Sequence, residues 1–104
     1  MKKNETWICG LGKAINLLGG KWRLNILWEL SKNELIRFNE LKRKLPGISN
    51  LMLTRSLEAL QQEDLITKRN VGTYPLHVEY SLTEKSKSLV SIMKSLNQWG
   101  DTHL

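Results

Sequence analysis

The chain predicts a mainly α domain with one small β-hairpin, an α+β fold. Three observations carry that reading. Residues 37–65, RFNELKRKLPGISNLMLTRSLEALQQEDL, give a short amphipathic helix, a Pro-Gly turn and a longer amphipathic helix. Two alternating stretches, 66–70 and 77–82, follow at hairpin spacing. A last segment then repeats apolar residues at helical intervals. This order is the winged helix-turn-helix layout, in which the second helix of the motif enters the DNA major groove.

The elements follow in order. A first helix is expected over about 7–18, with Leu11, Ile15 and Leu18 on one face, ended by Gly19-Gly20. A second, over about 21–31, places Trp22, Ile26 and Leu30 in one stripe, widened by Leu24, Leu27 and Trp28. A helix this apolar belongs at the domain centre, with Trp22 and Trp28 as core residues. Residues 34–37 predict a very short strand. The third helix, about 38–45, turns Phe38, Leu41 and Leu45 inward and stops at Pro46-Gly47. Ser49 is the predicted N-cap of the fourth, which buries Leu53, Leu57 and Leu60 and ends near Glu63. The hairpin follows, with a loop at 71–76. Thr83 caps the last helix, over about 84–99, whose apolar positions are Leu89, Ile92, Met93, Leu96 and Trp99. The whole chain, 1–104, is read as one domain: helix-turn-helix about 38–63, wing about 66–82, and dimerisation helices about 7–18 and 84–100.

The totals narrow the function classes. A single cysteine, Cys9, makes no intrachain disulfide. No apolar run approaches the ~20 residues that span a bilayer, and the N-terminal apolar stretch is broken by Gly10, Gly12, Lys13 and Asn16. A cytoplasmic, nucleoid-associated protein without a membrane partner is expected. The net charge of +6 is unevenly placed: residues 1–36 and 37–70 each carry +3, and 71–104 carry none. A polyanion therefore suits the first two-thirds. No nucleophile–base set, metal-ligand spacing or phosphate-cradling glycine loop is apparent, and Gly19-Gly20-Lys21 lacks the Walker spacing. An enzyme, a metal and a cofactor are not expected.

Base readout falls on Asn50, Leu51, Thr54 and Arg55, in the first two turns of the fourth helix and away from Leu53 and Leu57. Asn pairs bidentately with adenine, Arg with guanine, and Leu or the Thr methyl meets the thymine methyl. Phosphate contacts fall on Arg37, Asn39, Lys42, Arg43, Ser49, Lys68 and Arg69, with Tyr74 and His77 as further wing candidates. The plain alternative for each is a solvated surface residue. A charge run such as Lys42-Arg43-Lys44 usually is one, so one or two of the three are expected on DNA. Trp7, Leu11, Leu89, Ile92, Met93, Leu96 and Trp99 form the expected dimer interface, because a single copy has little with which to cover Trp7 and Trp99 near the chain ends. The alternative is a last helix that packs back on its own domain. Cys9 has two open readings: a small buried hydrophobe in that interface, or a redox or electrophile sensor with Lys13 one turn away.

With the elements placed, the chain resembles the HxlR family of bacterial winged-helix transcriptional regulators over about Cys9 to Trp99. The matching stretches are the cysteine before the first helix, LLGGKWRLNILWEL, RFNELKRKLPGIS, MLTRSLEAL and HVEYSLTEK, in order and at the expected separations. The resemblance implies a homodimer on double-stranded operator DNA, joined through its first and last helices. It also implies that some members sense oxidants or electrophiles through the N-terminal cysteine. Four positions depart from the family pattern: Gly10 follows the cysteine where Pro is usual, Leu51 replaces a polar or basic residue, Asp64 replaces Gly after the recognition helix, and Ser86 replaces Gly near the start of the last helix. The competing function is a winged helix used for DNA architecture or protein–protein contact without sequence readout. The sequence identifies no small-molecule effector.

Overall fold

The computed structural model describes residues 9–72 and 77–104. Trp7 and Tyr74, expected at the dimer interface and on the wing, lie outside the described residues. The order is α1 (Gly10–Leu18), α2 (Arg23–Ser31), β1 (Ile36–Arg37), α3 (Phe38–Arg43), α4 (Asn50–Gln62), β2 (Ile66–Val71), β3 (His77–Leu82), α5 (Glu84–Lys87) and α6 (Val90–His103). β3 is the central strand of an antiparallel sheet ordered β1-β3-β2. The fold is a winged helix-turn-helix, with α3 and α4 as the motif and the β2–β3 hairpin as the wing.

One core joins these elements. Ile26, Leu27 and Leu30 of α2 meet Leu41 of α3, Leu53, Leu57 and Leu60 of α4, Ile36, Ile66 and Tyr80 of the sheet, and Met93 of α6. The inward stripe expected of α4 is where the periodicity put it, and that of α2 holds for Ile26, Leu27 and Leu30. Trp22 and Trp28 differ from the expectation: they are half-buried and pack along the core's edge. Each indole face sits near an ammonium, Lys21 Nζ at 5.0 Å from the Trp22 ring and Lys32 Nζ at 5.6 Å from Trp28. A large ring with a polar nitrogen is more easily placed at such an edge than wholly inside.

The turn after α4 explains the Asp64 departure. Asp64 adopts φ 61°, the only positive φ outside glycine among the described residues. Leu65 N–H donates to Leu60 O at 2.9 Å, closing the helix end. Asp tolerates this left-handed conformation better than most residues but still at a cost. Asp64→Gly is expected to stabilise the fold by about 0.5–1 kcal/mol, and Asp64→Val to destabilise it. Thermal denaturation of both variants checks this; a lower melting temperature for Asp64→Gly would show that the turn carries no strain.

The last helix corrects the sequence reading in two ways. It is not continuous over 84–99 but divides into α5 and α6, and α6 continues to His103. The break has a local cause. Thr83 and Ser86 form a reciprocal capping box, Ser86 N–H to Thr83 Oγ1 at 3.2 Å and Thr83 N–H to Ser86 Oγ at 3.1 Å. Ser88 Oγ donates back to Lys85 O at 2.7 Å. Serines that hydrogen-bond nearby backbone favour short turns over a continuing helix. Ser86, fully buried, therefore has a capping role that its helix propensity alone did not suggest.

The second correction concerns the apolar stripe. Met93 is 5% exposed and packs into its own core, with Leu89 half-buried beside it. Met93 is therefore not free for a partner. Ile92, Leu96 and Trp99 remain 61%, 54% and 55% exposed, and on α1 Leu11 and Ile15 are 71% and 56% exposed. These five are the large apolar side chains that α1 and α6 leave exposed before the C-terminal residue.

Candidate nucleic-acid interface

α4 is held with its recognition face outward. Leu53, Ser56, Leu57 and Leu60 bury one side, which sets Leu51, Arg55 and Glu58 on the opposite side at 100° per residue. Asn50 and Thr54 flank this face and are exposed. The four readout candidates are thus brought together over two turns of one anchored helix. Ser49 caps the helix as expected, its Oγ accepting from Met52 N–H at 3.0 Å. Only its hydroxyl hydrogen is then left to donate to a phosphate. Met52, 42% exposed beside Leu51 at 59%, lies on this surface and was not among the sequence candidates.

At the start of α3, Arg37, Asn39 and Arg43 are exposed and Lys42 is half-buried. Arg37 and Asn39 border a shallow cleft with Phe38, Glu40, Arg43 and Val78.

The sheet separates residues that the sequence groups. Lys68 pairs with Tyr80, and Arg69 with Glu79, across β2 and β3. Tyr80 faces the core, so Lys68 projects from the α4 side of the wing and Arg69 from the other side. Burial holds the Tyr80 hydroxyl above its ordinary pKa, and Glu58 on α4 adds to that rise. On the outer face Glu79 has two arginines and a histidine as neighbours. Arg37 is its cross-strand neighbour on β1, Arg69 Nη2 lies 3.9 Å from its carboxylate, and His77 Nε2 lies 3.7 Å away. Arg69 and His77 are therefore partnered within the chain. An exposed pair of this kind adds little stability, but it lowers the local positive potential. Lys68 is the better placed of the two adjacent wing cations for DNA on the α4 side.

Cys9 is exposed in the single chain and is the N-cap of α1, its Sγ accepting from Gly12 N–H at 3.3 Å. Among the described residues no three His, Cys, Asp or Glu side chains cluster as metal ligands, and no helix is long and apolar enough to cross a membrane.

The comparisons with known proteins converge on one class. A family model described as HxlR-like helix-turn-helix matches residues 17–104. An uncharacterized helix-turn-helix-type transcriptional regulator, YdzF of Bacillus subtilis (strain 168), is 41% identical over 87 residues, 84% of this chain and 80% of YdzF. Among solved structures, a MarR-family transcriptional regulator of Porphyromonas gingivalis W83 superposes with TM-score 0.86 at 36% identity, covering 93% of this chain and 94% of the other. The redox regulator HypR in its oxidized form superposes with TM-score 0.85 at 30% identity, covering 92% of this chain and 98% of HypR. These relatives are transcriptional regulators and not enzymes.

Proposed function

The chain belongs to the HxlR-like helix-turn-helix family of DNA-binding transcriptional regulators, and from that premise we propose that it acts as a homodimer reading a two-fold symmetric operator. The observation that carries the reading is the exposed cluster Asn50, Leu51, Thr54 and Arg55 on a helix whose other side is locked into the core. A rigid helix with a polar, hydrogen-bonding front is what major-groove readout requires. Lys68, Arg37, Asn39, Lys42, Arg43 and the Ser49 hydroxyl supply sequence-independent contacts to phosphate. The exposed residues of α1 and α6 join the two copies. As a regulator of DNA it acts in the cytoplasm, at the nucleoid.

In-vitro selection from random duplex DNA at physiological salt tests this. The expected result is an enriched palindrome with half-sites roughly 10 bp apart, or a multiple of that spacing. Leu51 and Met52 supply the one observation for the competing function, since two adjacent exposed apolar side chains suit protein contact. Folded protein that enriches no sequence would transfer the assignment to that function.

A further inference from the structure

An open cleft of about 410 Å³ lies between the α1–α2 turn and the recognition helix, lined by Lys21, Trp22, Arg23, Met52, Arg55 and Ser56 together with two glycines. No acidic residue lines it. The glycines make the turn tight. A Cβ on Gly19 would meet Ile15 O at 2.8 Å, and Gly20 adopts φ +98°. The turn delivers the start of α2 to the cleft, and no side chain caps that nine-residue helix at Trp22. Its first-turn N–H groups have no intrahelical acceptors and carry the positive end of the helix dipole.

A second, independent observation is Ser56. It is 7% exposed, faces the cleft, and its hydroxyl makes no hydrogen bond to another described residue. The other buried serine among the described residues, Ser86, gives its hydroxyl to the backbone, to Thr83 O at 3.1 Å. A buried hydroxyl without a partner is unfavourable, and the cleft is the direction from which a partner comes. Arg23 gives Nη1 to Leu17 O at 2.7 Å and keeps its other donors.

We propose that this cleft seats one phosphate group of the DNA backbone in each half-site, held by the first-turn amides of α2, Lys21 and the Ser56 hydroxyl. This rests on the reading that α4 lies on DNA. It extends the positioning contacts to a motif, Gly19-Gly20-Lys21, that the sequence presents only as a helix stop. The chemistry recognised is a phosphate oxyanion, and the cleft's place beside α4 selects the backbone over a free phosphate.

The test uses the full chain and a duplex of arbitrary sequence, because a phosphate contact needs no operator. Binding of the unaltered chain to that duplex tests whether α4 lies on DNA at all, and the variants test the cleft. Lys21→Gln is expected to lower the slope of log K against log salt by about 1 for each phosphate that is no longer neutralised. Ser56→Ala is expected to weaken duplex binding by about tenfold, while its melting temperature stays level or rises because an unpartnered buried hydroxyl has been removed. Affinity and stability moving in opposite directions is a result that a purely structural Ser56 does not produce. Unchanged duplex binding by Ser56→Ala overturns the proposal even if Lys21→Gln lowers the slope, since Lys21 then meets phosphate outside the cleft. Unchanged duplex binding by both, with inorganic phosphate shifting the Ser56 amide resonance of the unaltered chain, overturns the DNA assignment in favour of a free phosphate.

Discussion

A chain carrying Ile92→Asp and Trp99→Asp is expected to fold as a monomer and to lose nearly all of its DNA binding. Both side chains are more than half exposed in the single chain, so the folded protomer loses little. In a two-fold dimer each substitution acts twice. Losing about 1.5 kcal/mol at each of four positions weakens dimerisation on the order of 10⁴-fold, before the added carboxylates are desolvated. DNA then sees one recognition helix at a time. The loss of bivalency lowers affinity by about 10²–10⁴-fold with every DNA-contacting residue intact. Sedimentation velocity and duplex binding, measured together, check both halves. A dimer that persists at micromolar concentration would move the interface away from α6, while a monomer with undiminished affinity would show that pairing is not used for binding.

The stripe containing those residues also marks how far the sequence could be read. Ile92, Leu96 and Trp99 repeat at i, i+4 and i+7, and Met93 stands one position to the side. Helical spacing shows that all four share an apolar sector. It does not show which flank faces the chain's own core, and only the packing of α6 on α2 assigns Met93 there. α4 was legible because both of its faces are written in one segment: Leu53, Leu57 and Leu60 inward, Asn50, Thr54 and Arg55 outward. The break at Ser88 was not, since it depends on serine hydroxyls choosing backbone partners. Lys68 and Arg69 looked equivalent in sequence, but adjacent strand residues point to opposite faces, and Glu79 lies on only one of them. The cleft was hidden for a different reason. Lys21 and Ser56 are 35 positions apart, and nothing local to either one announces the other.

Arg55→Ala is expected to erase a base preference, and Lys68→Ala to rescale binding without changing it. Arg55 stands in the second turn of α4 on the outward face, where a guanidinium can reach the O6 and N7 acceptors of guanine. One bidentate contact is worth about 1–3 kcal/mol of discrimination. Two copies in a dimer make that about 2–6 kcal/mol at the preferred site. Selection with the variant should return the same half-site spacing with one position in each half degraded towards random. Lys68 sits on the wing, on the α4 side of the sheet, where the proposed function has it meet phosphate. Its removal should weaken all sequences alike and lower the salt slope by about 1 per phosphate. Arg55 also lines the cleft beside Lys21, which gives the comparison its force. A guanidinium turned into the cleft would behave as Lys68 does, leaving the selected sequence intact at reduced affinity. One turned into the groove removes information from the site. The selected sequence, more than the affinity, therefore decides which of its two neighbours Arg55 serves.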